Sequence, residues 1–210
     1  MAIPALELRE LACVRGSRAL FDGLDLSLPA GRLLRVSGAN GAGKTSLLRM
    51  VCGLLRPAAG TVLWNGTPIG AAREEFHRQL VYLGHAAALK DDFTALENLL
   101  FAARLAGLAP DAAAARAALF ATGLQGHEGA AVRALSQGQR RRVVLARLLL
   151  SSDMPLWVLD EPFDALDVAA SAWLVHLIAA QVARGGIVVL THHQPDLAFP
   201  ATVPQVELAL

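Results

Sequence analysis

The stretch Gly38-Ala39-Asn40-Gly41-Ala42-Gly43-Lys44-Thr45 decides the fold. It fits G-x-x-x-x-G-K-[ST], and it lies between an apolar run, Leu33 to Ser37, and a helical pattern from about Lys44 to Leu54. Glycines let successive backbone N–H groups turn inward around phosphate oxygens, and the start of the following helix adds a dipole that favours anions. In such a loop the lysine, Lys44, reaches the β- and γ-phosphates and the hydroxyl of Thr45 ligands Mg²⁺. Gly38, Ala39, Asn40, Gly41, Ala42, Gly43, Lys44, Thr45 and Ser46 are therefore the candidate nucleotide-binding run. By itself the pattern implies an NTPase or a kinase; the plainer reading is a glycine turn followed by a surface lysine.

Working outward, residues 5–36 place Leu6, Leu8, Leu24, Leu26, Leu28, Leu33, Leu34 and Val36 in short strands. Turns fall at Arg15-Gly16-Ser17 and Pro29-Ala30-Gly31. Thr61 to Trp64 with Asn65-Gly66 reads as a hairpin strand and its turn. Residues from about 90 to 150 carry helical spacing, seen in Ala95, Leu96, Leu99, Leu100 and Ala103. Leu156-Trp157-Val158-Leu159 is a short, wholly apolar run of the kind buried in parallel sheets, and so is Gly186 to Leu190. A helix over 168–183 lies between them. Strand, helix and strand in parallel make an α/β sheet, with the helical block inserted.

The first of those late strands ends in Asp160-Glu161. Ligands of open α/β sheets bind at the carboxyl ends of the strands. Asp160 can hold Mg²⁺ there, and Glu161 can orient and deprotonate an attacking water. A solvated acidic turn is the alternative.

Composition narrows the classes. The 210 residues suffice for one sizeable domain. Nineteen basic residues against eighteen acidic ones give a net charge of +1, so no global field draws the chain to nucleic acid or an anionic membrane. Hydrophobic residues make up 54 %, and the mean hydropathy is +0.44. The longest uncharged stretch that could be helical, Val168 to Ala183, falls short of the roughly 18–20 residues of a membrane span and contains Ser171, His176 and Gln181. It reads as a core helix, and the excess apolar content suggests that one face docks on a partner. The N-terminus lacks the pattern of a signal peptide. Cys13 and Cys52 have no metal-type spacing and are expected as free buried thiols in a reducing cytosol.

Leu135-Ser136-Gln137-Gly138-Gln139, followed by the basic run Arg140 to Arg147, resembles the signature of ABC-type ATPases, and the motifs run in that family's order over nearly the whole chain. The resemblance implies a P-loop NTPase (RecA-like) α/β core with an antiparallel β subdomain and an inserted α-helical subdomain. In a single domain over 1–210, these would occupy about 31–57, 71–85 and 151–210 (core), about 1–30 and 58–70 (β subdomain), and about 86–150 (helical). It also implies that Ser136, the Gly138 N–H and Gln139 reach the γ-phosphate of ATP held by an opposite subunit, in a head-to-tail homodimer with two shared sites. Read without the family, Ser136 is a helix N-cap and most of the arginines form a solvated face. Phe163-Asp164-Ala165-Leu166-Asp167 looks like the family's D-loop, with Asp167 at the dimer seam, at a helix cap, or both. His193, with Gln194 after it, fits the family's switch histidine; His192, with Thr191 before it, is the alternative.

Two positions depart from the family. Near residue 15, where an aromatic usually stacks on adenine, Arg15 stands ready to stack its guanidinium instead. The glutamine that usually binds Mg²⁺ about 40 residues beyond the phosphate loop is replaced by His85, in Tyr82-Leu83-Gly84-His85. A neutral imidazole can accept from a metal-bound water. That segment, the D-loop, Thr191-His192-His193-Gln194-Pro195 and the short chain together resemble the ATP-binding subunits of the haem exporter of cytochrome c maturation. The implication is an integral-membrane permease partner, haem delivery outward, and a peripheral place on the cytoplasmic face of a bacterial inner membrane. For His77, His127 and His176, surface or core roles are expected rather than haem ligation. The alternatives are an ABC ATPase for another exported cargo such as a drug or lipid, a non-transporter ABC ATPase, and a small-molecule kinase; the last has no use for Leu135 to Gln139.

Overall fold

The computed structural model describes residues 5–192 and 197–210. Two compact units divide them. One comprises Met1–Tyr82, Met154–Glu161 and Ile178–Leu210; the other comprises Leu83–Asp153 and Pro162–Leu177.

The first unit carries two sheets. β1 (Ala5–Arg15) and β2 (Arg18–Pro29) form an antiparallel pair, and after β3 (Arg32–Ser37) and helix α1 (Lys44–Val51) the chain adds β4 (Ala59–Trp64) and β5 (Thr67–Pro68) in the order β2-β1-β4-β5. The leucine alternation is what the register uses: Leu6 lies opposite Leu28, and Leu8 opposite Leu26. Helix α2 (Arg73–His77) and strand β6 (Leu80–Leu83) follow. The second sheet is completed by β7 (Leu156–Leu159), β8 (Ile187–Thr191) and β9 (Gln205–Ala209), in the order β6-β7-β8-β3-β9. Every residue of β7 and β8 is buried, as strands covered on both faces require. Leu34, Val36, Leu47, Leu48, Val51, Val158 and Val189 share one core with Leu6, Leu8, Leu28 and Val62. Helix α1 ends before the Leu54 that its pattern suggested, because Cys52 caps it and Gly53 turns left-handed at φ 68°. Strand β9 and helix α2 have no counterpart in the sequence reading.

The second unit is helical. α3 (Ala95–Leu105), α4 (Ala112–Ala121), a 3₁₀ turn at Val132–Ala134 and α5 (Gln137–Leu150) belong to it, together with the first turns of α6 (Val168–Ala183). Ala95, Leu99, Ala115, Leu119, Leu124, Val143 and Ala146 make its core. Thr94 and Glu97 close a capping box on α3, and Asp111 Oδ1 accepts from the Ala114 N–H at the start of α4.

The arginines of α5 differ from the expected solvated face. Arg141 is 6 % exposed. Arg140 pairs with Asp91 at 3.2 Å, Arg142 donates to Asp167, and burial lowers the pKa of Arg147. Helix α5 packs against both α3 and α4, so little of its circumference is left for water. Cys13 and Cys52 are buried free thiols. Among the described residues no helix is long and apolar enough to cross a membrane.

Candidate active site

Strand β3 leads directly into the phosphate loop. At Gly38, φ is 141° and a Cβ would stand 2.6 Å from the carbonyl oxygen of Leu210, so only glycine fits. Gly43 is the N-cap of α1 and offers no capping side chain, which leaves the first-turn N–H groups directed at the loop. Lys44 is 6 % exposed, and its Nζ donates to the carbonyls of Gly38 (2.8 Å) and Ala39 (3.0 Å). The ammonium is thus held against the loop backbone, beside the uncapped start of α1, an arrangement suited to a polyanion.

At the end of β7, Asp160 is 1 % exposed. Its Oδ1 accepts from Thr45 Oγ1 at 3.3 Å and from Thr191 Oγ1 at 2.8 Å. Thr191 Oγ1 in turn accepts from the Glu161 N–H at 2.8 Å. That bond holds Glu161 at φ 50°, in a left-handed conformation costly for a side-chain-bearing residue and often found at functional sites. Thr191 is the site residue that sequence reasoning passed over. The signal is register: Leu159 pairs with Leu190, which sets Asp160 and Thr191 on the next rung.

Burial, and then the Asp160 charge, push the Cys52 thiol far above its ordinary pKa. Burial also raises Tyr82, with Asp160 adding to it. Arg15, Leu20, Asn40, Gly41, Gly43, Lys44, Thr45, Ser46 and Glu161 line one cleft of about 320 Å³. The structure thus brings Arg15 into the same cleft as the phosphate loop and Glu161.

The remaining candidates belong to the helical unit. Ser136 is the N-cap of α5: its Oγ accepts from the Gln139 N–H at 3.2 Å, while Gln139 Oε1 accepts from the Ser136 N–H at 2.9 Å. At Gly138 a Cβ would meet the Ala165 carbonyl at 2.9 Å. Asp167 Oδ1 accepts from the Ala170 N–H at 2.8 Å and caps α6, and its Oδ2 takes the Arg142 bond. His85 is largely exposed, with Nδ1 3.9 Å from Asp164 Oδ2. His192 Nε2 accepts from Arg35 Nε (3.2 Å) and Nη2 (2.9 Å). His193 lies outside the described residues.

The ABC transporter family model matches residues 21–164. The chain is 53 % identical over 201 residues to the cytochrome c biogenesis ATP-binding export protein CcmA of Aromatoleum aromaticum, covering 95 % of this chain and 94 % of that protein. To the protein of the same name in Dechloromonas aromatica it is 51 % identical, over 97 % and 99 % of the two chains. Its fold resembles that of a dimeric ATP-binding cassette bound to ADP and Pi, with a TM-score of 0.78, 21 % identity, and coverage of 92 % and 90 %.

Proposed function

The chain belongs to the ABC transporter family, and from that premise we propose that it energises haem export for c-type cytochrome biogenesis through an integral-membrane partner. It is an ATPase of that family. The cargo reading draws on relatives that bear the cytochrome c biogenesis name along nearly their whole length.

The observation that carries the chemistry is the shared Asp160 carboxylate. Thr45 Oγ1 and Asp160 Oδ1, 3.3 Å apart, are hard oxygen donors beside the phosphate loop. This set fits Mg²⁺, which takes a hydroxyl, a carboxylate through water, and phosphate oxygens. Held by Thr45 and Asp160, Mg²⁺ would supply neutralising charge to the phosphates. Lys44 and the N–H groups of Gly38 to Ser46 bind and orient the phosphates. Glu161 accepts the proton of the attacking water, and the bond from its N–H to Thr191 fixes where its carboxylate starts from. Arg15 stacks on the adenine. His85 takes the place of the family's glutamine on the metal side, and His193 bonds the γ-phosphate.

Ser136, Gly138, Gln139 and Asp167 meet the ATP of a second copy in a head-to-tail dimer. In support, a Cβ at Gly138 would meet the Ala165 carbonyl at 2.9 Å, so the first turn of α5 keeps a bare backbone there. With its permease the dimer sits at the cytoplasmic face of the inner membrane. The domain organisation expected from sequence, with a β subdomain, a core and an inserted helical subdomain, is retained in this proposal.

The test is a host from which the chain is removed. Haem-stained holocytochrome c is expected to vanish and to return with the wild-type chain but not with Glu161→Gln. Normal cytochrome c maturation without the chain would refute the cargo and leave the ATPase standing.

A further inference from the structure

The middle arginine of the run Arg140-Arg141-Arg142 is buried, at 6 % exposed, although it carries a permanent charge. A buried guanidinium is tolerated only where fixed acceptors meet its N–H groups. Arg141 Nε donates to the carbonyl of Pro162 at 3.3 Å, and Nη1 donates to the carbonyl of Gly84 at 3.4 Å. These two acceptors are backbone carbonyls, so the side chain ties together the paths of two chain segments.

Those segments are telling. Gly84 immediately precedes His85, and Pro162 immediately follows Glu161. Each lies one or two residues past a point where the chain enters the helical unit, after Tyr82 and after Glu161. Arg141 itself stands on α5, two turns or less from Ser136, whose capping box fixes the start of that helix. One side chain therefore holds, from within the helical unit, the exits of the two segments that carry His85 and Glu161, and it does so from the helix that carries Ser136 and Gly138.

We propose that Arg141 is a positioning residue for hydrolysis: it fixes the backbone at Gly84 and Pro162, the chain neighbours of His85 and Glu161, and it touches neither nucleotide nor metal. The proposal rests on the ATPase reading above and is independent of the cargo. The planar guanidinium matters, because one rigid fork spans two carbonyls at once; a lysine offers one ammonium to both, and a glutamine amide is too short for the pair.

The test is steady-state ATP hydrolysis and nucleotide binding by the full chain with Mg²⁺, in wild type, Arg141→Gln, Arg141→Lys and, as a reference, Glu161→Gln. Because the nucleotide is held by the phosphate loop, Arg141→Gln is expected to lower kcat by about 10–100-fold, with Kd for ATP held within about threefold. Arg141→Lys is expected to recover part of the loss. A folded Arg141→Gln protein with kcat within about twofold of wild type would overturn the proposal, and so would a Kd that rises in step with the loss of kcat. If Arg141→Gln does not fold, wild-type kcat in Arg141→Lys overturns it. Retained turnover in Glu161→Gln would instead sink the assignment of the base, so the two failures are told apart.

Discussion

Thr191 links the Asp160 carboxylate to the Glu161 backbone, and the sequence reading used it only as the neighbour of His192. Its hydroxyl donates to Asp160 and accepts from the Glu161 N–H. Thr191→Val keeps the shape, removes both bonds and leaves the Glu161 N–H to find another partner. Chemical denaturation is expected to show a loss of about 1–3 kcal/mol, and Thr191→Ser to restore most of it. Cys52 gives the pH-dependent counterpart. Its raised pKa means that the folded chain keeps the thiol proton, while the unfolded chain loses it near the ordinary value of about 8.5. Stability therefore falls as pH rises above that value, and native Cys52 is expected to resist alkylation at pH 8 and to react on unfolding. Mass spectrometry of iodoacetamide-treated protein checks this; rapid native labelling of Cys52 would contradict its burial. Lys44, Thr45, Asp160 and Glu161 were legible because each pair is adjacent in sequence. Thr191 was not, because it meets Asp160 only through the pairing of β7 with β8.

At the scale of elements, the helices differ in how their first turns are capped. Helices α3 and α5 each close a capping box, whereas α1 starts at Gly43 with no side-chain cap. Thr94→Ala is expected to cost about 1 kcal/mol, seen as a lower denaturation midpoint with unchanged slope. Bonds from the Thr94 N–H and hydroxyl hold the Glu97 carboxylate below its ordinary pKa, so the contribution of the box is lost as pH falls through that lowered value. Strands β7 and β8 could be read from pattern because burial on both faces leaves a nearly unbroken apolar run, and α6 because no charge interrupts it, although Val168 and several of its alanines are exposed. Strand β9 escaped because it lies at the sheet edge, half exposed, with a weak alternation of Val206, Leu208 and Leu210. The arginines of α5 were misread because charge alone does not reveal that a helix lies between two others.

For the molecule as a whole, the 54 % hydrophobic content is largely accounted for by two cores, one under the sheets and one among the helices. What remains includes Phe93, Phe101, Leu105, Phe120 and Val168, all exposed on the helical unit. In the proposed hydrolytic centre Glu161 is the base beside the phosphate loop and the buried Asp160 carboxylate. ATP turnover by Glu161→Gln measures this most directly. Turnover is expected to fall about 10²–10⁴-fold while ATP remains bound. Turnover near that of the wild-type chain would contradict it.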